Sequence, residues 1–170
     1  MNVQGQVNFF ADPLLVFRSG PASLVQVSPT EFTFSFGSVV QNTGVKDAFL
    51  DILNSAHSPI YQDLLGGTYN TAGVTSFTLA GFDPFSAVAS GSFLTGDVKF
   101  NSAMALGSYS DSFFLNPTST NTSSTSTLAA IRLNLTANVV PEPGSAFLLA
   151  LGGGLLAARR SRRAAAKVEA

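Results

Sequence analysis

The feature that most constrains the fold of this chain is a strict alternation of phenylalanine with small hydroxyl residues in residues 31–36. Thr33 and Ser35 separate the three phenylalanines of that segment. Because successive side chains of a β-strand point to opposite faces, the pattern places three aromatic rings on one face and two hydroxyls on the other. A spacing of two residues is typical of a half-buried antiparallel strand, so we predict a strand here.

Several other segments share this alternation or are rich in β-branched and aromatic residues. Asp-Pro, Ser-Pro, Asn-Pro and Gly-Pro pairs, which favour turns, lie between them. Such a series of short strands predicts an all-β domain over residues 1–138, folded as an antiparallel two-sheet sandwich or jelly roll. The predicted strands are 3–10, 14–17, 23–27, 31–36, 74–82, 92–100 and 128–137.

Residues 45–56 are compatible with either a short helix or a strand, because their apolar residues also recur at helical spacing. In the helical alternative, Asp47 and Asp51 are four residues apart and meet on one turn. Two carboxylates there repel each other unless a cation lies between them. Carboxylate oxygens are the ligands that Ca²⁺ prefers, so Asp47 and Asp51 are the candidate calcium ligands.

Residues 117–127 form a low-complexity run of Ser, Thr and Asn after one proline. A run of this kind has no apolar surface to bury, so we expect an exposed, mobile loop. Two roles remain open for it, an ordinary hairpin connection and an acceptor for O-linked glycans.

The charge distribution divides the chain into two segments. Residues 1–140 contain four basic and eight acidic residues, a net charge of −4, whereas residues 141–170 contain five basic and two acidic residues, a net charge of +3. The acidic body has no basic stripe, which argues against nucleic-acid binding. The chain has no cysteine, which excludes disulfides, thiolate nucleophiles and cysteine-ligated zinc.

The segment from residue 139 onward consists of three parts in a fixed order. The first contains two prolines that fix the backbone and remove two N–H donors, so it predicts a rigid, extended stretch suited to an enzyme cleft. Its residues are Val140, Pro141, Glu142 and Pro143.

The second part is an apolar run that predicts a short helix over residues 144–158. At ~1.5 Å per residue this helix is about 22 Å long, shorter than the ~30 Å hydrocarbon core of a bilayer. We therefore expect a temporary membrane anchor, with the basic end at 159–170 on the cytoplasmic side. The apolar side chains are Phe147, Leu148, Leu149, Leu151, Leu155 and Leu156, and the basic stop is Arg159, Arg160, Arg162 and Arg163.

This order of parts resembles the PEP-CTERM sorting domain of Gram-negative bacteria. The resemblance implies an exported precursor that is held briefly in the inner membrane by residues 144–158 and processed at residues 140–143 by an exosortase. It also implies delivery to the cell surface or the extracellular matrix, where such proteins are associated with polysaccharide. Residues 1–10 lack the basic and apolar regions of a signal peptide, so we expect those regions in frame upstream of Met1.

No motif in the body indicates catalysis or a cofactor. The single histidine, His57, has no nucleophile elbow or other framing motif near it, and three tyrosines without tryptophan make a poor platform for sugars. We therefore predict a non-enzymatic protein with a structural or adhesive role in biofilm or exopolysaccharide. A calcium-assisted carbohydrate-binding module, with exposed Tyr and Asp on one concave patch, is the first alternative. A glycan-acting hydrolase, which needs two carboxylates ~5–10 Å apart in a cleft, is the second.

Overall fold

A computed structural model describes residues 8–55 and 61–142, together with Gly144, Leu148 and Leu151. Over the two continuous ranges the chain forms eleven strands in two sheets, which confirms the all-β sandwich. The strands are β1 (Pro13–Ser19), β2 (Ser23–Ser28), β3 (Glu31–Val40), β4 (Val45–Asn54), β5 (Leu64–Asn70), β6 (Phe77–Ala80), β7 (Phe85–Val88), β8 (Phe93–Asn101), β9 (Gly107–Thr120), β10 (Thr125–Thr127) and β11 (Ile131–Val140).

The smaller sheet has the strand order β1-β4-β8-β6, and the larger has the order β2-β3-β11-β9-β5-β7, with β10 paired to β9. One pair of strands, β3 with β11, is parallel, so the larger sheet is mixed. Antiparallel neighbours are often joined by a tight hairpin, but β3 and β11 are far apart in sequence and no such hairpin sets their direction. Strand β11, the last described strand, lies between β3 and β9 near the centre of the larger sheet.

The core lies between the sheets and is built from alternate residues of the facing strands. Phe34 on β3 and Phe100 on β8 are fully buried. Phe36 links the two sheets, because its ring centroid lies 5.7 Å from that of Phe34 and 6.0 Å from that of Phe100. Aromatic pairs at this spacing add to the stabilisation from burial of apolar area. The phenylalanine alternation therefore builds the centre of the core, as predicted.

Residues 45–54 form strand β4, so the helical alternative is wrong. Ala48, Leu50 and Ile52 are buried and alternate with outward-facing residues. Strand β8 pairs with residues 45–53 of this segment, and β1 pairs with residues 49–54 on the other side. The apolar residues of this segment fit both the helical and the strand spacing. The segment is a strand because it pairs with a neighbouring strand on each side.

The prediction of a mobile loop over residues 117–127 is wrong except at the turn. Strand β9 continues to Thr120 and pairs with β10, so only four residues connect the two strands. Pro117 and Ser119 are buried. The backbone carbonyl of Pro117 accepts a hydrogen bond from the N–H of Leu128 at 2.9 Å. The N–H and C=O of one strand residue point to the same side. The side of Pro117 that has no N–H therefore faces the gap between β10 and β11, where a proline is tolerated.

The remaining strand predictions differ in accuracy. Five of them agree with observed strands to within a few residues, a normal uncertainty at strand ends; these are β1, β2, β3, β8 and β11. The segment 74–82 contains only the short strand β6, and strands β5, β7, β9 and β10 were not predicted. Of the segment 3–10, only residues 8–10 are described, and Phe9 there forms an isolated bridge with Gln62.

Candidate functional site

The predicted sorting motif begins inside the fold. Its first residue, Val140, is the last residue of β11 and lies opposite Val40 of β3. The carbonyl of Val140 accepts a hydrogen bond from the backbone N–H of Gln41 at 2.9 Å, and Val139 is buried in the core. Strand β11 therefore runs two residues past the predicted boundary at residue 138, into the predicted sorting segment.

The next two residues of the motif lie outside the sheet. Pro141 and Glu142 are exposed and belong to no strand. Pro141 has no N–H to donate, so it cannot continue a ladder, and β11 ends where the proline begins. Pro143 lies outside the described residues. The backbone of the motif is therefore paired in the sheet at Val140 and exposed from Pro141 onward to Glu142.

The predicted anchor lies almost entirely outside the described residues. Gly144, Leu148 and Leu151 are helical and exposed. Among the described residues, no helix has both the length and the apolar character that a membrane crossing requires. The other predicted anchor and stop residues, which the structure does not describe, are Phe147, Leu149, Leu155, Leu156, Arg159, Arg160, Arg162 and Arg163.

A groove of about 260 Å³ adjoins the end of β3, beside the pairing partners of the motif. Its one charged side chain, Lys46, donates a hydrogen bond to the carbonyl of Thr43 at 3.1 Å. The Thr43 hydroxyl in turn donates to the carbonyl of Val40 at 2.7 Å. These bonds fix the turn that presents Gln41 to Val140. The groove is lined by Pro21, Phe36, Ser38, Val39, Val40, Thr43 and Lys46.

The two candidate calcium ligands do not converge. Asp47 and Asp51 lie on β4, where a rise of ~3.3 Å per residue separates residues four apart by about 13 Å. Arg18 lies 3.2 Å from the carboxylate of Asp51, and Lys99 lies 3.7 Å from that of Asp47. The arrangement in which both carboxylates meet on one helical turn does not occur, because residues 45–54 form a strand.

A second cavity, of about 410 Å³, holds a buried acid that the sequence did not reveal. Asp63 is 3% exposed, and its carboxylate accepts a hydrogen bond from the Ser119 hydroxyl at 2.8 Å. The side-chain amides of Asn8 and Asn121 donate to it at 3.1 Å and 3.3 Å. These partners are distant in sequence, so no local pattern marks the site. Its lining consists of Asn8, Gln62, Asp63, Leu64, Thr120, Asn121 and Thr122.

The three tyrosines are dispersed over the sandwich. Tyr61 is exposed and precedes Gln62 and Asp63 of the second cavity, and the exposed Phe9 donates its backbone N–H to the Tyr61 carbonyl at 2.7 Å. Tyr69 packs its ring against Phe82 at 5.3 Å between centroids. Tyr109 donates its hydroxyl to a backbone carbonyl. Of the three, only Tyr61 is exposed.

The carboxylates of Asp47 and Asp97 meet on the ammonium group of Lys99, at 3.7 Å and 2.9 Å. Over residues 8–55 and 61–142, no group of three or more potential metal-ligating side chains comes together. A third cavity, of about 450 Å³, is lined by Gly67, Thr68, Pro84, Phe85, Asn116, Pro117, Thr118, Thr127 and Leu128. None of these three described cavities brings two carboxylates together. His57 lies outside the described residues.

Comparisons with known proteins match one part of the chain to a family. Residues 139–163 match the family model of the PEP-CTERM protein-sorting motif. No curated protein matches the chain.

Solved structures resemble the body at low sequence identity. The PapD-like domain 7 of human CEP192 is 11% identical, with a TM-score of 0.46 over 84% of this chain and 95% of that domain. AggA, the major subunit of aggregative adherence fimbriae type I from Escherichia coli, is 12% identical, with a TM-score of 0.45 over 81% of this chain and all of AggA. The C. elegans MSP family member WR4 is 9% identical, with a TM-score of 0.39 over 59% of this chain and 91% of WR4.

The family match and the fold overlap at two residues. The matched segment begins at Val139, the penultimate residue of β11, and continues through the exposed Pro141 and Glu142. A sorting motif of this type implies a precursor that is exported and passes through a membrane. The chain is therefore an exported precursor that carries a PEP-CTERM protein-sorting motif, which begins in the last two residues of β11.

Proposed function

We propose that this chain is a non-enzymatic surface or matrix protein, delivered across the inner membrane and separated from its tail by an exosortase. The observation that carries the proposal is the position of the motif, which follows the central strand of a folded β-sandwich without a linker. Pro141 and Glu142 are exposed, as the substrate of an enzyme must be. The body before them is a compact unit that can be released whole.

A structural or adhesive role is supported by the outer face of the larger sheet. Thr33, Asn134 and Ser112 form one row across β3, β11 and β9, and the next row consists of Ser35, Thr136 and Ser110. Hydroxyl and amide groups both donate and accept hydrogen bonds. A surface of this composition suits contact with hydrated, neutral polymer, such as the exopolysaccharide of a biofilm.

The experiment compares an exosortase-producing host with an otherwise identical host that lacks the enzyme. We expect intact mass spectrometry to find a shortened body outside the first host and a full-length, membrane-bound precursor in the second. Glu142→Ala should leave the precursor intact in both. Asp83→Asn, a change of an exposed acid far from the motif in sequence, should be processed like the wild type. Identical masses in both hosts contradict the proposal.

Carbohydrate binding is the second candidate function, and the cavity around Asp63 favours it. Amide and carboxylate groups line that cavity, and the exposed residues Phe9 and Tyr61 are the chain neighbours of its lining residues Asn8 and Gln62. Such a combination suits sugars, which present hydroxyl edges and apolar faces. The Oδ1 atom of Asn8 has no hydrogen-bond partner among the described residues, so it is free to accept a sugar hydroxyl.

Titration with dextran, amylose and β-glucan tests this candidate. We expect the side-chain amide signals of Asn8 and Asn121 to shift in NMR spectra, and Thr122→Trp, which fills the cavity, to abolish the shift. Thr43→Trp beside the other groove is the matched control. For a calcium-assisted form, CaCl₂ at a hundred times its dissociation constant should add ~2.7 kcal/mol to the free energy of unfolding. A protein that responds to neither addition rules out this candidate.

A further inference from the structure

We propose that the processing enzyme acts while β11 is still paired in the sheet, so that the bond it cuts lies after Val140 and the released body keeps its whole central strand. This inference rests on the proposed function of residues 140–143 as a processing motif. In the reaction, water adds to the carbonyl of the cut bond, the body retains the new carboxylate, and the tail leaves with a new amino group that takes up the proton.

The first argument is the position of β11. It is paired with β3 on one side and β9 on the other, and both ladders reach its last residues: Val139 lies opposite Val39 and Gly107, and Val140 lies opposite Val40. Val139 is 2% exposed. A cut before Val139 would remove a core side chain from the central strand and leave the adjacent backbone groups of both neighbours without partners.

The second argument is the availability of backbone groups. Many enzymes bind an extended peptide by hydrogen bonds to its main chain, which the peptide must have free. The carbonyl of Val140 is already bonded to the N–H of Gln41 at 2.9 Å. Pro141 and Glu142 are exposed and outside every strand. An enzyme that binds the main chain as far back as Val140 must therefore open the sheet, whereas one that binds only beyond Val140 need not.

The third argument is the role of the proline itself. Pro141 lacks an N–H, so the ladder cannot extend past Val140 whatever residues follow. Proline also holds the preceding residue in an extended conformation. Pro141 therefore both makes the motif extended and ends the ladder of β11. A single peptide bond, between Val140 and Pro141, separates the sheet from the exposed part of the motif.

A disulfide lock across the ladder tests the inference. Val40 and Val140 are directly opposite in the parallel pair, and paired strands are ~4.8 Å apart, within the range a disulfide spans. The chain has no other cysteine, so Val40→Cys/Val140→Cys forms one defined bond outside the cytoplasm. A second lock, Ser38→Cys/Asn138→Cys, uses an opposite and exposed pair and leaves the motif unchanged. The single variants Val140→Cys and Asn138→Cys are the matched controls.

In the exosortase-producing host, we expect both locked precursors to be processed within twofold of the rate of their single-cysteine controls. Intact mass of the released body should place its last residue at Val140 or later, in the wild type and in the locked forms. Thermal unfolding under non-reducing conditions checks that the locked bodies are folded.

Accumulation of either locked precursor, with normal processing of its single-cysteine control, overturns the inference but leaves the proposed function standing. A released wild-type body that ends before Val140 does the same. If the wild-type precursor is not processed in this host at all, the proposed function fails, and the inference fails with it.

Discussion

At the scale of single residues, two tyrosines differ in what their hydroxyls contact. The buried Tyr69 hydroxyl has no hydrogen-bond partner among the described residues, whereas the Tyr109 hydroxyl donates to the carbonyl of Ala105 at 2.7 Å. A buried polar group without a partner lowers stability, and a hydrogen bond contributes about 1 kcal/mol. We expect Tyr69→Phe to leave the free energy of unfolding unchanged or slightly raised, and Tyr109→Phe to lower it by about 1 kcal/mol. Urea denaturation measures both, and the reverse order contradicts the assignment.

The same tyrosine predicts a pH dependence. Burial disfavours the phenolate and raises the pKa of Tyr69 above its ordinary value. In the unfolded chain a tyrosine ionises near pH ~10, so the folded state binds the proton more tightly above that pH. This contribution to stability is complete below pH ~10 and is lost as the pH rises further. Urea midpoints between pH 8 and 11 (chosen to bracket ~10) should fall more steeply for the wild type than for Tyr69→Phe, and parallel curves disprove the prediction.

The buried acid gives the third residue-scale prediction. The Asp63 carboxylate accepts hydrogen bonds from a hydroxyl and two amides, which join the segment before β1 to strands β5 and β9. Asp63→Asn replaces an acceptor oxygen with an NH₂ group that faces these donors. Because hydrogen bonds to charged groups contribute ~1.5–3 kcal/mol, we expect a loss of about 2 kcal/mol or more. Asp83→Asn, at an exposed acid, should change stability by less than about 0.5 kcal/mol.

At the scale of secondary-structure elements, the sequence predicted the strands whose burial alternates. Strand β3 was found because phenylalanine and hydroxyl residues alternate along it. Much of β9 was missed because Ser, Thr and Asn occupy it, and its place in the sheet depends on β5, β10 and β11. Pairing between distant segments leaves no local signal, so the parallel partner of β11 was also beyond prediction.

The functional residues also divide into those with a local sequence signal and those without one. The motif at residues 140–143 was recognised because its four residues are consecutive and two of them are proline. The cavity around Asp63 was missed because its contributing residues come from three separate parts of the chain. The pairing of Val140 with Val40 was missed too, since a hundred residues separate them. Sequence therefore identified the motif but not the structure that holds it.

Strand β4 carries the element-scale prediction, because the helical and strand alternatives bury different residues. In the strand, Leu50 is fully buried and Phe49 is 36% exposed on the outer face. We expect Leu50→Ala to lower the free energy of unfolding by about 2–5 kcal/mol, as for other buried leucines. Phe49→Ala should cost clearly less, although it removes more atoms. A larger loss for Phe49→Ala, measured by urea denaturation, contradicts the strand assignment.

At the scale of the whole molecule, the body and the tail should separate cleanly in a truncation experiment. A chain that ends at residue 142 retains all eleven described strands, whereas a chain that ends at residue 130 lacks β11 and with it the join between β3 and β9. We expect the first to give the dispersed NMR spectrum of a folded protein and a cooperative thermal transition. The second should give neither, and a folded chain without β11 disproves this view of the sheet.

The central place of β11 also sets the order of events during export. It is the last strand to be synthesised, yet β3 and β9 have no direct pairing and meet only through it. Contacts between segments this distant in sequence form late, because the intervening chain must first be available. A chain that enters a translocation channel from its amino-terminal end therefore completes the larger sheet only when Val140 has emerged. The larger sheet is then completed at the moment when the motif reaches the far side of the membrane. Until that moment the chain lacks its complete fold and can pass through a narrow channel.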